Sequence, residues 1–258
     1  MSHDLLPLSE SIDLLNVAFE NPRVHKNAKL DGDKAATPYE LCPDRVTGRA
    51  SFAELQRVCP DRHWRFVAVN IPYSETTAHR DKVMTLMHPH NTEMDLSIAN
   101  ALYFAAHGAG LVSSEDNQES PYTTRARVLL SGLGADELFA GYTRHATAYK
   151  RRGFEGLLEE LDLDISRLGK RNLGRDDRII SSQGREARFP FLDEELVGWA
   201  LAAPVNHKCG FSEPVSDDPV GRTEGSAAIE PGKKILRCLA LKLGMSGVAK
   251  EKKRAVSL

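Results

Sequence analysis

The stretch Val128–Tyr142, VLLSGLGADELFAGY, limits what this chain can fold into more than any other. Three apolar residues lead into Ser131, Gly132 and Gly134, and Asp136 and Glu137 then open a segment with helical spacing. The pattern reads as strand, glycine turn and helix. In an open α/β sheet such a turn lies at the carboxyl end of a strand, where ligands bind. Ser131, Gly132 and Gly134 would turn backbone N–H groups toward an anion, and the helix start adds partial positive charge. Asp136 and Glu137 would then hold Mg²⁺ carried by a nucleotide phosphate. The same carboxylates also suit a purely structural role, because acidic residues in any first helical turn oppose the macrodipole.

The rest of the chain supplies the context. Ile12–Phe19 and Trp64–Ile71 are apolar runs closed by turn residues and read as strands. Residues 20–49 read as a long surface loop. Ser51 and Glu54 have the spacing of a capping box and would start a short helix that Pro60 stops. A helix follows from Ser74 or Glu75 to His88. Another runs from Thr92 to His107, with apolar residues at helical spacing and Gly108 as its stop. Residues 113–124, rich in serine and acid, read as a solvated loop. The alternation of strands and helices then argues for a parallel sheet covered on both faces. Beyond Tyr142 the chain turns helical, with interruptions expected at Gly153 and Gly156, a helix from Glu194 to Ala203, a second long loop at 206–231 and a helix from Lys233 to Leu243. The organisation expected is one domain with an α/β sheet part at 11–153 and a mainly helical part at 154–258.

Composition excludes some classes. A formal net charge of −2 gives no reason to expect nucleic acid or an anionic membrane as partner. The four cysteines are widely spaced and form no C-x-x-C pair, which argues against a zinc knuckle or a disulfide framework. His88 and His90 flank a proline but have no third ligand nearby in sequence. No run has the length of a membrane span, and a cytoplasmic setting is the expectation.

Three separated segments make a further point. Ser131–Tyr142, the region Arg171–Asp193 with RNLGRDDR and EARFPFLD, and Lys233–Arg237 with KKILR stand in an order and spacing that resemble the synthetase domain of the glutamine-hydrolysing asparagine synthetase family, in its divergent eukaryotic branch. The resemblance covers most of residues 11–255. It implies an adenine nucleotide α-hydrolase-like fold of the PP-loop ATP pyrophosphatase type, with ATP and Mg²⁺ as cofactors. It also implies an ATP-dependent ligase of asparagine biosynthesis, acting on ATP, aspartate and ammonia or glutamine. Aspartate would be activated to an acyl-adenylate with release of pyrophosphate, and ammonia would then displace AMP. By position, Ser131, Gly132 and Gly134 would lie at the nucleotide. Asp136 would serve magnesium or pyrophosphate, and Lys233 would approach phosphate. With Glu137, these two make up the candidate catalytic groups. Arg175, Asp176 and Asp177 would lie at the substrate end.

The sequence also departs from that family. The residue after Ser-Gly, usually Glu, is Leu133, which neither accepts a proton nor binds a cation. The family's pyrophosphate loop, Ser-Gly-Gly-x-Asp-Ser, does not occur, and Ser2 stands where its glutaminase domain has a nucleophilic cysteine. The chain therefore reads as a synthetase-type domain truncated at both ends and not competent alone. The alternative is a non-catalytic binding or scaffold remnant of the fold.

Overall fold

The computed structural model describes residues 2–22, 37–113, 116, 118–213 and 229–252. They pack as two compact units. Of the described residues, the first holds those up to Leu129 together with Gly174–Ala187, and the second holds Leu130–Leu173 and those from Arg188 to 252.

The first unit is built on a sheet. Strands β1 (Ile12–Phe19) and β2 (Trp64–Ile71) pair in parallel from Ile12↔Trp64 to Phe19↔Ile71, and helix α2 (Pro43–Val58) makes the crossover; a single turn, α1 (Ser2–Leu5), precedes β1. On one face lie helices α3 (Tyr73–Met87), α4 (Glu93–His107) and α7 (Gly174–Ser181), whose Val83, Met87, Leu96, Phe104 and Ile179 bury Val67, Val69 and Ile71. On the other, Arg45 of α2 is fully buried and donates to Asn16 Oδ1, Asn70 Oδ1 and Glu40 Oε1, while Phe52 packs on Phe66. Both ends of α4 are as the sequence reads. Thr92 Oγ1 accepts from the Asp95 N–H at 3.1 Å, and Gly108 takes the left-handed conformation with φ 75°.

Several local expectations change. The sheet is mixed rather than parallel throughout. Strands β3 (Ala109–Ser113) and β4 (Glu119–Thr123) form a hairpin whose second strand lies in the stretch read as a solvated loop, and β3 meets β2 antiparallel at Ala68↔Leu111. A Cβ at Gly110 would stand 2.6 Å from the Ala68 carbonyl oxygen, so the missing side chain is what lets the hairpin take the sheet edge. Val128–Leu130, strand β5, accordingly pairs outside this sheet, with β6 (Glu186–Arg188). Ser51 does not begin a helix either. Pro43, with its φ preset for a first helical turn, starts α2 eight residues earlier and leaves Ser51 mid-helix. The helix also replaces the last part of the loop expected at 20–49, of which residues 23–36 lie outside the described residues.

The second unit is helical: α5 (Ala135–Leu138), α6 (Thr143–Leu168), a π-turn (Gly169–Leu173), α8 (Glu194–Ala202), α9 (Val205–Lys208), α10 (Lys234–Lys242) and α11 (Ser246–Lys250). Helix α6 kinks where Gly153 adopts φ 61° and ψ −149°. The second interruption expected there does not occur. Gly156 is buried in the helix, where a Cβ would stand 2.9 Å from the Ala148 carbonyl oxygen. Two apolar clusters hold the unit. One joins Leu138 and Phe139 to Ala200, Phe191 and Leu236, and the other joins Ala140 to Leu157, Leu161 and Cys209. Of the loop expected at 206–231, residues 206–208 end α9, and 214–228 lie outside the described residues, as does the basic tail from 253. No helix among the described residues is long and apolar enough to cross a membrane.

Candidate functional site

The site grows from the turn after β5. Ser131 Oγ accepts the Leu133 N–H at 3.3 Å, a local bond that shapes the turn. Gly134, with φ 100°, caps the single turn α5, and a Cβ there would lie 2.5 Å from Leu192 Cδ2. Its glycine is thus required twice, by backbone conformation and by packing. Gly132 differs, since a Cβ there would meet nothing within 4 Å. That side of the turn is open.

Leu138, Phe139 and Ala140 then plunge into the unit's core. The chain reverses through Ala140 at φ 57°, and the Gly141 N–H returns to the Asp136 carbonyl at 2.8 Å. Gly141 lies directly beneath Asp136. A Cβ on it would stand 1.8 Å from Asp136 Oδ1, so only glycine leaves room for the carboxylate.

Lys233 comes to the same corner from a point 97 residues later in the chain. Its N–H donates to the Phe139 carbonyl at 2.9 Å, and next to it a Cβ at Gly232 would stand 3.0 Å from the Ala140 carbonyl oxygen. Arg237 secures this approach, donating from Nε to the Gly232 carbonyl and from Nη1 to the carbonyls of Ala249 and Glu251. Lys233 itself has φ 55°. Lys233 and Ala140 are the two non-glycine residues with positive φ among the described residues, and both stand here. The result is an ion pair, Lys233 Nζ to Asp136 Oδ1 at 2.8 Å, with each side chain about a quarter exposed. The corner thus offers a cation and an anion side by side, each side chain partly exposed although Asp136 Oδ1 itself is buried.

Glu137 takes another direction. It is buried, and its Oε1 accepts from Tyr142 Oη at 2.6 Å and from Asn172 Nδ2 at 3.1 Å. Burial, and then the Glu137 carboxylate, push the Tyr142 phenol well above its ordinary pKa, so it stays a donor. The Tyr142 N–H reaches His145 Nδ1 at 3.2 Å, and His145 Nε2 lies 2.8 Å from Asp164 Oδ2. Burial opposes ionisation of Asp164, but bonds from His145 and Arg144 outweigh it and hold the carboxyl below its ordinary pKa.

Arg175, Asp176 and Asp177 belong to the first unit, on α7. Arg175 is 2% exposed and is held by Asp95 at 2.5 Å and Asp176 at 2.8 Å, while Asp177 faces solvent. These charges tie α7 to the first turn of α4. The expected site residues therefore fall into two groups, Ser131 to Glu137 with Lys233 in one unit and Arg175 to Asp177 in the other. Among the described residues no three His, Cys, Asp or Glu side chains come together as a metal cage. Sequence reasoning missed Tyr142, His145, Asn172, Asp164 and Arg237. The available signal was Tyr142-x-x-His145, which has capping-box spacing in residue types that the usual pattern leaves out.

The family model described as Asparagine synthase matches residues 122–159 and 152–258, a stretch that contains every one of these candidate residues. The chain belongs to the asparagine synthase family. It is 39% identical to asparagine synthetase domain-containing protein 1 of Bos taurus and 37% identical to that of Homo sapiens, each over 97% of this chain and 41% of the relative. It is also 48% identical over 105 residues to a putative glutamine-hydrolyzing asparagine synthetase 1 of Methanocaldococcus jannaschii, which covers 41% of this chain and 19% of that protein. The chain thus spans about two fifths of the length of the domain-containing relatives.

Proposed function

We propose that the Asp136–Lys233 corner is the magnesium and phosphate corner of an ATP-dependent amide-forming domain with a PP-loop type of fold. The observation that carries this reading is the ion pair itself, held by two strained backbone positions, with each side chain about a quarter exposed. Magnesium bound to a polyphosphate is a cation and an anion at neighbouring positions. Asp136 suits the first and Lys233 the second, so the pair exchanges each partner for another of the same sign. A single protein carboxylate is also what Mg²⁺ needs when phosphate oxygens and water complete its shell.

In the reaction that this reading assigns to the family, a carboxylate oxygen of aspartate attacks the α-phosphorus and expels pyrophosphate, and ammonia then displaces AMP. Lys233 would neutralise charge developing on phosphate oxygens, and the N–H of Gly132 would add a donor. Magnesium, when bound, would stabilise the departing pyrophosphate. Leu133 supplies none of the proton or cation handling of an acidic residue at that place, and these 258 residues contain no Ser-Gly-Gly-x-Asp-Ser segment. By themselves they are therefore expected to bind magnesium pyrophosphate weakly and to turn over nothing.

Two measurements test this. Calorimetric titration with magnesium pyrophosphate should give weak binding that Asp136→Asn and Lys233→Met each abolish, and equal binding by all three proteins would sink the site. Pyrophosphate release from ATP, Mg²⁺, aspartate and ammonia should stay at background. Turnover above it would overturn the claim that the chain is not competent alone.

A further inference from the structure

Glu137 stands next to Asp136 and is an acidic residue in the same helical turn, yet nothing in its surroundings suits a ligand. It is 2% exposed, and one oxygen, Oε1, takes both the Tyr142 hydroxyl and the Asn172 amide. We propose that Glu137 is a positioning residue, and that the buried chain Asn172–Glu137–Tyr142, continued through His145 to Asp164, fixes the turn on which Asp136 meets Lys233. The role assigned to that pair rests on the function proposed above, whereas the positioning itself rests on geometry.

Four residues lie between Glu137 and Tyr142, and three of them build the corner. Phe139 supplies the carbonyl that holds the Lys233 N–H, Ala140 carries the positive φ, and Gly141 makes room for the Asp136 carboxylate. The Tyr142–Glu137 bond closes this short loop across its ends. A non-glycine residue in the left-handed region persists only where its surroundings over-determine it. Here the surroundings are the Leu138, Phe139 and Ala140 side chains in the core and the carboxylate–phenol bond at the loop's mouth.

The chain beyond Tyr142 extends the clamp. Because His145 Nδ1 accepts from the Tyr142 N–H, the ring proton lies on Nε2 and donates to Asp164. Arg144 donates to both oxygens of the same carboxylate. Asp164 is one turn from the end of α6, and Asn172 belongs to the π-turn that follows. The loop is thus anchored to the start of α6 through Tyr142 and His145, and to the end of that helix through Asp164 and Asn172. Polar chains of this kind hold a unique geometry when every member is satisfied.

The test uses the full chain and two readouts: exchange of the Lys233 amide hydrogen followed by NMR, and affinity for magnesium pyrophosphate. Glu137→Gln keeps an oxygen acceptor and loses the charge. It should leave both readouts within about twofold of the parent. Tyr142→Phe and Glu137→Ala open the loop, and should speed exchange of the Lys233 amide on the order of tenfold, with a matching loss of affinity, while amides of β2 keep their protection. If Glu137→Gln loses affinity as completely as Glu137→Ala, the charge acts on the ligand and the proposal is overturned. A lowered melting temperature with unchanged exchange and affinity would also overturn it, since that is what a merely structural role would give. Should Glu137→Ala fail to fold, Tyr142→Phe decides, because it removes a single oxygen. If the parent chain binds no magnesium pyrophosphate, the functional reading falls, and the exchange data alone decide the positioning.

Discussion

Gly141→Ala puts the site under the sharpest strain that a single methyl group can apply. The added Cβ would lie 1.8 Å from Asp136 Oδ1, 2.7 Å from its Cγ and 2.9 Å from its Cα. The carboxylate can leave by changing rotamer, but then it gives up Lys233, 2.8 Å away. The Cα cannot leave, so part of the clash stays as backbone strain, at a cost of about 1–3 kcal/mol, as for other overpacked sites. Losing one charge-assisted contact to a bound ligand costs about 1.5–3 kcal/mol, or roughly ten- to a hundredfold in affinity. Gly198→Ala is the control. It lies within α8, where a Cβ meets nothing within 4 Å, and it should raise stability by about 0.5–1 kcal/mol. Urea unfolding and calorimetric titration with magnesium pyrophosphate read the two effects separately. If Gly141→Ala melts and binds like the parent, Asp136 has no fixed place to lose, and the reasoning from the ion pair fails.

Other perturbations separate structural charges from functional ones. Arg175→Met leaves Asp95 and Asp176 without their shared cation and should cost about 3–5 kcal/mol in a urea titration at neutral pH, whereas exposed Asp177→Ala should stay within about 0.5 kcal/mol of the parent. Burial disfavours the charge of Asp95 and of Asp164, yet Thr92 and Arg175 on one, and His145 and Arg144 on the other, hold both carboxyls below their ordinary value of 3.8. Folded-state values lowered in this way contribute stability that is complete above the unfolded pKa and is lost as pH falls through the folded one. The urea midpoint should therefore fall as pH drops below about 4 and be less steep in Arg175→Met. Midpoints that do not change with acid would contradict both assignments.

What the sequence makes legible depends on how local the deciding physics is. Helix α4 can be read in full because its cap, its apolar period and its Gly108 stop all lie within 17 residues, and the structure keeps each of them. The hairpin β3–β4 cannot, because its strands are short and contain no buried residue, with Ser, Glu and Pro in the second. What places it is the approach of Gly110 to Ala68, a contact between residues 42 positions apart. Ser51 and Glu54 mislead for the same reason. A correct local pattern lost to a start signal eight residues upstream, which the burial of Arg45 then fixed. At the candidate site, spacing alone relates Asp136 to its own helix. Its meeting with Lys233 could be expected from family resemblance and not from periodicity. Glu137 shows the limit of that resemblance, since sequence position gives it the same standing as Asp136 while burial gives the two different work.

The two readings of Asp136, helix stabiliser or ligand group, also differ in what they require of Lys233. A lysine that only balances an acidic helix start has no reason to occupy a left-handed backbone position, where a side chain costs about 1–2 kcal/mol and glycine costs nothing. Lys233→Gly therefore weighs the readings against each other. The substitution relieves that strain, forfeits a partly exposed ion pair worth about 0.2–1 kcal/mol, and adds about 0.4–1 kcal/mol of unfolded-chain entropy. The effects come close to cancelling, so the melting point should be unchanged or slightly higher. Binding of magnesium pyrophosphate should vanish all the same. A protein that keeps its stability and loses its ligand has been holding strain at Lys233 for the ammonium group, not for the fold. If instead Lys233→Gly unfolds the second unit, the pair is structural and the corner has no claim on phosphate.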